Sequence, residues 1–184
     1  MEIEYLLTKI AEILEKLKIP YAITGGMAVS VWGRPRYTAD IDIIVEILPK
    51  NINLLAKLLL SIDKDVYVSE EAMQNALEKK GEFNFIHPQS GLKVDFWVVK
   101  DNFEKLKIKR AISKKIDRQK VNFVSPEDLI ISKLEWYKLS NSTRQLEDIE
   151  SVLKISKVDL DYIKKWAGKH GTIEVLDKII KNQE

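Results

Sequence analysis

The chain has 184 residues, 45% hydrophobic and 32% charged, enough for one core-bearing domain or one domain with a modest appendage. Its formal net charge of +2 is too small for bulk electrostatics to argue for nucleic-acid or membrane binding, so a local patch must hold any such partner. Lack of cysteine excludes disulfides, zinc–thiolate sites and cysteine nucleophiles, and two histidines, His87 and His170, are too few for a histidine-rich metal cage.

The first eighteen residues read as an amphipathic helix, with Ile3, Leu6, Leu7, Ile10, Ile13, Leu14 and Leu17 at helical spacing. They lack the uninterrupted apolar core of a signal peptide. No apolar run in the chain approaches the roughly 20 residues of a membrane span, so a cytoplasmic protein with no membrane partner is expected. Pro20 stops the helix, and "YAIT" follows as a short strand. Gly25-Gly26 is predicted to turn the chain into a two-turn helix, Met27 to Trp32, which "GRPR" breaks because a residue before proline disfavours the helical region. A strand is expected from Ile41 to Glu46, ended by Pro49. Helices follow at Ile52 to Leu60 and at "SEEAMQNALEKK", where Ser69 is the N-cap.

"FNFIH", "PQSG" and "LKVDFWVV" then spell a β-hairpin, and "RAISKKI" with "KVNFV" a second one, joined near Asp117 and Arg118. "SPEDLIISKLEWYKL" carries a helix start, with Ser125 at the N-cap, Pro126 at the first position and Asp128 at the capping-box position. Beyond it the chain is nearly all helical, in three or four segments. The organisation expected is an α/β (α+β) portion, residues 1–124, and a helical portion, residues 125–184, packed on it.

Chemistry concentrates at three aspartates. Asp40 and Asp42 open an apolar strand one residue apart, so a side-chain period of two sets both carboxylates on one face, where they repel unless a cation lies between them. Asp95 stands mid-strand in the first hairpin, with Lys93 and Trp97 on its face. Carboxylates without histidine or cysteine are hard oxygen ligands suited to Mg²⁺ or Mn²⁺. Gly25-Gly26, between strand and helix, is expected to present backbone amides to an anion. Together these point to phosphoryl or nucleotidyl transfer by two metal ions.

Taken alone, each signal has a plainer reading. Gly-Gly is by itself a strand–helix turn. Asp-x-Asp also occurs in haloacid-dehalogenase-like phosphatases, which place it after an apolar strand, and in glycosyltransferases; here the apolar run follows the pair. Lys133 shares the apolar stripe of its helix, either snorkelling to solvent or pointing into a cleft to bind a triphosphate. Arg34 and Arg36 hold phosphates or decorate a loop. Arg144 and Asp148 read as a surface i,i+4 ion pair outside the site. His87 reads as a turn residue, the four tryptophans as packing, with Trp97 placed to border the pocket, and the C-terminal lysines as a solvated face or, less simply, an RNA-binding surface.

Gly25-Gly26, thirteen intervening residues, Asp40-Ile41-Asp42 and a later Asp95 resemble the nucleotidyltransferase superfamily typified by DNA polymerase β. Arg36, Thr38, Asp40 and Asp42, with Ser125 to Leu134 and Arg144 to Ile149, resemble its small prokaryotic branch, including abortive-infection-type enzymes and minimal nucleotidyltransferases of toxin–antitoxin systems. One departure is Gly26, where many members carry serine. The resemblance implies a nucleotidyltransferase fold, a small mixed sheet flanked by helices, and transfer of NMP from an NTP such as ATP to an acceptor hydroxyl. It implies that Asp40 and Asp42 bind both Mg²⁺ (or Mn²⁺) ions, and that Asp95 binds the catalytic one and helps deprotonate the acceptor. Gly25, Gly26, Arg36, Thr38 and Lys133 are implied in nucleotide binding. The acceptor is left open between RNA, a partner protein and a small molecule. The alternative is a non-catalytic nucleotide-binding or regulatory module that keeps the fold.

Overall fold

The computed structural model describes residues 2–182; Met1, which the predicted first helix included, lies outside them. Chain order is α1 (Ile3–Lys16), β1 (Tyr21–Thr24), α2 (Gly25–Trp32), β2 (Asp40–Val45), α3 (Ile52–Leu60), α4 (Glu70–Lys79), β3 (Glu82–His87) and β4 (Leu92–Val98). It continues α5 (Asn102–Lys109), β5 (Ile112–Ile116), β6 (Gln119–Phe123), α6 (Pro126–Ser140), α7 (Thr143–Ile155), α8 (Leu160–His170) and α9 (Ile173–Lys181). The sequence pattern left α5 unassigned. Its apolar residues are sparse, and its start is fixed instead by Asp101, whose side chain accepts the Glu104 N–H at 2.9 Å.

The six strands form one mixed sheet, β3-β4-β2-β1-β6-β5. β1 runs antiparallel to β2 and parallel to β6, β2 parallel to β4, and both hairpins antiparallel. The α/β expectation of a small mixed sheet flanked by helices is met.

The chain divides into two compact units: one comprises the residues up to Met27 with Tyr37–Val124, the other Ala28–Arg36 with the residues from Ser125 onward. The first unit is built on the sheet. Leu6, Leu7, Ile10, Ala11 and Leu14 form the buried stripe of α1. Phe83 and Phe96, cross-strand partners, stack with centroids 4.7 Å apart and planes 3° from parallel.

The second unit is helical. Leu129, Ile130, Ile131 and Leu134 of α6 are fully buried, as are Ile149 of α7, Ile163 of α8 and Leu176 of α9. Ser125 caps α6 as expected, accepting the Asp128 N–H at 3.2 Å, and the buried Asp128 carboxylate accepts the Tyr162 hydroxyl at 2.8 Å. Trp136 departs from its expected packing role, since 48% of it is exposed on α6.

Candidate active site

The candidate site of the first unit starts from strand register, because partners across a sheet share a face. Asp42 on β2 pairs with Asp95 on β4 and with Thr24 on β1, while Asp40 pairs with Lys93. The three aspartates therefore project from one face of two adjacent parallel strands. Exposure grades across them: Asp40 is exposed, Asp42 partly buried and Asp95 buried. Strand β2 runs from Asp40 to Val45, so Asp40 itself belongs to the ladder and Glu46 does not. The Thr38 hydroxyl donates to the Asp40 carbonyl at 3.2 Å, bracing the entry to the strand.

Gly25 explains its own identity. A Cβ built there would lie 1.9 Å from Asp42 Oδ2 and 2.6 Å from its carboxyl carbon, and the backbone holds φ at +61°. A side chain is excluded twice, by left-handed backbone and by the carboxylate occupying its space. The turn at the end of β1 and the second aspartate of Asp-x-Asp are thus fitted to one another. Gly26 follows in the first turn of α2, where amides lack intrahelical acceptors.

Sequence reasoning set Lys93 beside Asp95 without giving it a role. Its ammonium lies 2.8 Å from Asp95 Oδ1 and 3.0 Å from Oδ2, forming a fork on the carboxylate. The hydrogen bond to Asp95 raises the Lys93 pKa above its usual value; partial burial opposes this, while the charges of Asp95, Asp40 and Glu82 support it. Asn84, the cross-strand partner of Asp95, donates its amide to Oδ1. The i,i+2 spacing of Lys93 and Asp95, with Asn84 on a facing strand, is the signal that could have assigned both.

Arg36 and Lys133, expected to bind nucleotide, belong to the second unit, where both meet Asp148. Arg36 donates from Nε to Oδ1 at 2.8 Å and from Nη2 to Oδ2 at 2.9 Å, and Lys133 Nζ lies 2.8 Å from Oδ2. Asp148 is 3% exposed, so the expectation of a surface ion pair is corrected. The helical spacing to Arg144 suggested the surface reading, but the partners come from distant sequence. Burial works to raise the Asp148 pKa, yet hydrogen bonds from Arg36 and Lys133 prevail and hold it below the ordinary carboxylate range. Lys133 is buried, not snorkelled. The Gly33–Arg36 segment is fastened to α7: a Cβ on Gly33 would stand 2.5 Å from Ser151 Oγ, which also accepts the Arg34 N–H.

Among the described residues, the group of possible metal donors lying within 4.8 Å of one another is Asp63, Asp65 and His87; Asp40, Asp42 and Asp95 do not converge so closely. The three members of that group are already engaged. His87 Nδ1 meets Ser90 Oγ at 2.7 Å and the Ser90 N–H at 3.2 Å, serving the β3–β4 turn as expected. Asp63 accepts the Asp65 N–H at 3.0 Å, and Asp65 accepts from Gln89 at 2.7 Å.

A mixed sheet with a Gly-Gly turn into a helix, Asp-x-Asp on the next strand and a third aspartate in register defines the nucleotidyltransferase class. The chain belongs to the family described as "Nucleotidyltransferase of unknown function (DUF6036)", which matches residues 1–183, and it is a transferase enzyme. No curated protein matches it.

Solved structures share the fold. An antigenic nucleotidyltransferase-like protein from Paracoccidioides brasiliensis is 19% identical, with a TM-score of 0.60 over 98% of this chain and 92% of that one. The antibiotic-resistance factor ANT(2'')-Ia is 13% identical, with a TM-score of 0.64 over 98% of this chain and 97% of its own. The lincosamide antibiotic adenylyltransferase LnuA is 15% identical, with a TM-score of 0.52 over 85% of this chain and 98% of its own. Among the described residues, no helix is long and apolar enough to cross a membrane.

Proposed function

We propose that the enzyme transfers NMP from an NTP to an acceptor hydroxyl, using Mg²⁺ or Mn²⁺ held by Asp40, Asp42 and Asp95. The observation that carries this reading is the register of Asp42 with Asp95, together with Gly25, where Asp42 fills the space of a side chain. The donor set fits the ions: all oxygen, anionic and graded from exposed to buried. Bound divalent cations would supply Lewis-acid charge to the α-phosphate and to both the attacking and leaving oxygens. Lys93 fits the same reading, since a cation already lies against Asp95, and ion binding would exchange it for a divalent charge.

In this mechanism the acceptor oxygen bonds to the α-phosphorus as the bond to the pyrophosphate oxygen breaks. The hydroxyl proton passes to Asp95, whose Oδ1 accepts the Asn84 amide. Amides of Gly25 and Gly26 orient the phosphates, and the Thr38 hydroxyl keeps Asp40 in place. The nucleotide-binding role expected of Arg36 and Lys133 stays outside this mechanism, since both cations are held on Asp148 in the helical unit. The lincosamide antibiotic adenylyltransferase named above supports a small molecule as one acceptor class. The finer setting we propose, a toxin–antitoxin or phage-defence system, is supported by the spacing of Arg36, Thr38, Asp40 and Asp42.

The test is label transfer from each α-³²P NTP in turn, with Mg²⁺ or Mn²⁺ and with RNA, protein extract or aminoglycosides as acceptors. Wild-type protein should label one acceptor class, and Asp40→Asn/Asp42→Asn should lose at least about 10³-fold, as expected when transition-state charge stabilisation is removed. Full activity in that variant would overturn the metal assignment.

A further inference from the structure

The charge of this chain is unevenly laid out. Residues 105–120 carry eight Lys or Arg against one acid, Asp117, a net charge of +7, which leaves the remaining 168 residues at −5. Six of the eight are exposed: Lys105, Lys109, Lys114, Lys115, Arg118 and Lys120. Lys107 is the buried exception, its ammonium 4.7 Å from the Phe103 ring centroid. The segment comprises the end of α5 and the β5–β6 hairpin, and β5 is an edge strand.

Register sharpens the pattern. Lys115 and Lys120 are direct cross-strand partners, like charges on one face of the hairpin, an arrangement that costs stability in a bare ladder. That face is the one carrying the aspartates. Ile23 pairs with Phe123, so Asn122 and Lys120 alternate onto the face of Thr24 and Asp42. The acids near this surface are few and already engaged: Glu46 meets Lys105 at 3.2 Å, and Glu15 accepts from Asn122 at 3.1 Å.

Edge protection alone does not account for the cluster. One charged residue blunts an edge strand, whereas here charge extends to the turn at Arg118 and to the interior strand β6 at Lys120. The opposite edge strand, β3, carries no lysine or arginine, and its Ile86 is paired with Tyr67.

We propose that the β5–β6 hairpin with the end of α5 is an RNA-docking surface that grips the phosphate backbone. Large exposed aromatics are absent from this segment among the described residues, so recognition runs through charge, with little dependence on base sequence. The surface is proposed independently of transfer chemistry. Choosing RNA over DNA rests on the transfer reading, because every RNA nucleotide offers a hydroxyl and duplex DNA offers them only at its ends.

The experiment is fluorescence anisotropy with a fluorescein-labelled 20-nucleotide single-stranded RNA of mixed sequence, titrated from 50 to 300 mM KCl. Wild type should bind with a log–log salt slope of about −3, matching roughly four released counterions. Lys115→Glu/Lys120→Glu should weaken binding at least tenfold, and Lys115→Gln/Lys120→Gln should weaken it less and shallow the slope by about 1.4. Lys178→Glu/Lys181→Glu on α9 should change affinity less than twofold, with all proteins checked for folding by circular dichroism. No binding by wild type at 50 mM KCl, or equal binding by the Lys115/Lys120 variants, would overturn the proposal. Polyaspartate competing as well as RNA would overturn the choice of a nucleic acid; matching DNA, which offers the same phosphates, should bind similarly, and label transferred to DNA but not to RNA would overturn the choice of RNA. Asp40→Asn/Asp42→Asn should still bind RNA while losing transfer; wild type that binds RNA but transfers no label to any acceptor would sink the transfer reading and leave this surface standing.

Discussion

The two units of this enzyme treat buried carboxylates in opposite ways. In the helical unit Asp148 is enclosed with a bidentate arginine and a lysine, two cations on one carboxylate. In the sheet unit three aspartates share a face, and the lysine that forks onto Asp95 also feels Asp40. The side chain of Lys93 is 40% exposed, against 9% for Lys133. The first arrangement is complete as it stands, because removing a partner from a buried pair strands a charge. The second gathers negative charge around a lysine that water can reach and that can swing away. On the function proposed above, such an arrangement is suited to receive a cation rather than merely to enclose one.

The sharpest way to break this contrast is to neutralise one carboxylate of each kind. Asp148→Asn should cost about 3 kcal/mol of stability, because Arg36 and Lys133 lose their counterion. Chemical denaturation would read that loss directly. Asp42→Asn should leave the denaturation midpoint nearly unchanged while abolishing transfer. The reverse pattern would exchange the two roles. Acid adds a second reading of Asp148. Its folded pKa lies below the ordinary value, so its stabilising contribution is full above about pH 3.9 and is lost as pH falls through the folded pKa. The stability gap between wild type and Asp148→Asn should therefore narrow below about pH 4.

Gly25→Ala comes next in expected size. A non-glycine residue at φ +61° costs about 1 kcal/mol, and the added methyl must also push Asp42 aside. Transfer should fall by about 10²-fold or more, far beyond what the stability loss explains. Gly91, also at positive φ but with open space about its Cα, is the control: Gly91→Ala should cost stability of similar size with little change in turnover. Equal activity in the two variants would show that the fit of Gly25 to Asp42 is immaterial.

Much of this site could be read before folding. The spacing of Gly25-Gly26, Asp40-x-Asp42 and Asp95 is local to strands and one turn, and strand period alone put the first two carboxylates on one face. The hairpins and the capped start of α6 were legible for the same reason, whereas the mixed sheet was implied by the resemblance to nucleotidyltransferases. What escaped depends on long-range pairing. Asp148 looked like half of a surface i,i+4 pair because its real partners, Arg36 and Lys133, stand 112 and 15 residues away in sequence. Trp136 was assigned to packing from its residue type, but its position on α6 leaves it half exposed. Asn84 became meaningful only through its register with Asp95. Helix α5 lacked an apolar stripe strong enough to reveal it.

The smallest effect tests what Lys93 contributes. If the lysine is a resident counterion, removing it makes way for the divalent ion without taking away any oxygen ligand. Lys93→Met keeps the aliphatic stem that packs along β4 and deletes only the charge. Binding of Mn²⁺ to the nucleotide-free protein, read by electron paramagnetic resonance, should then tighten by up to about fivefold, or about 1 kcal/mol, the upper size expected of one partly exposed competing ion pair. The protein without metal should melt slightly lower, since Asp95 and Asp40 would then repel without a neighbouring cation. Unchanged or weaker Mn²⁺ binding would mean that Lys93 braces Asp95 in its working orientation. In that case its loss should lower kcat, and Lys93→Arg should restore it.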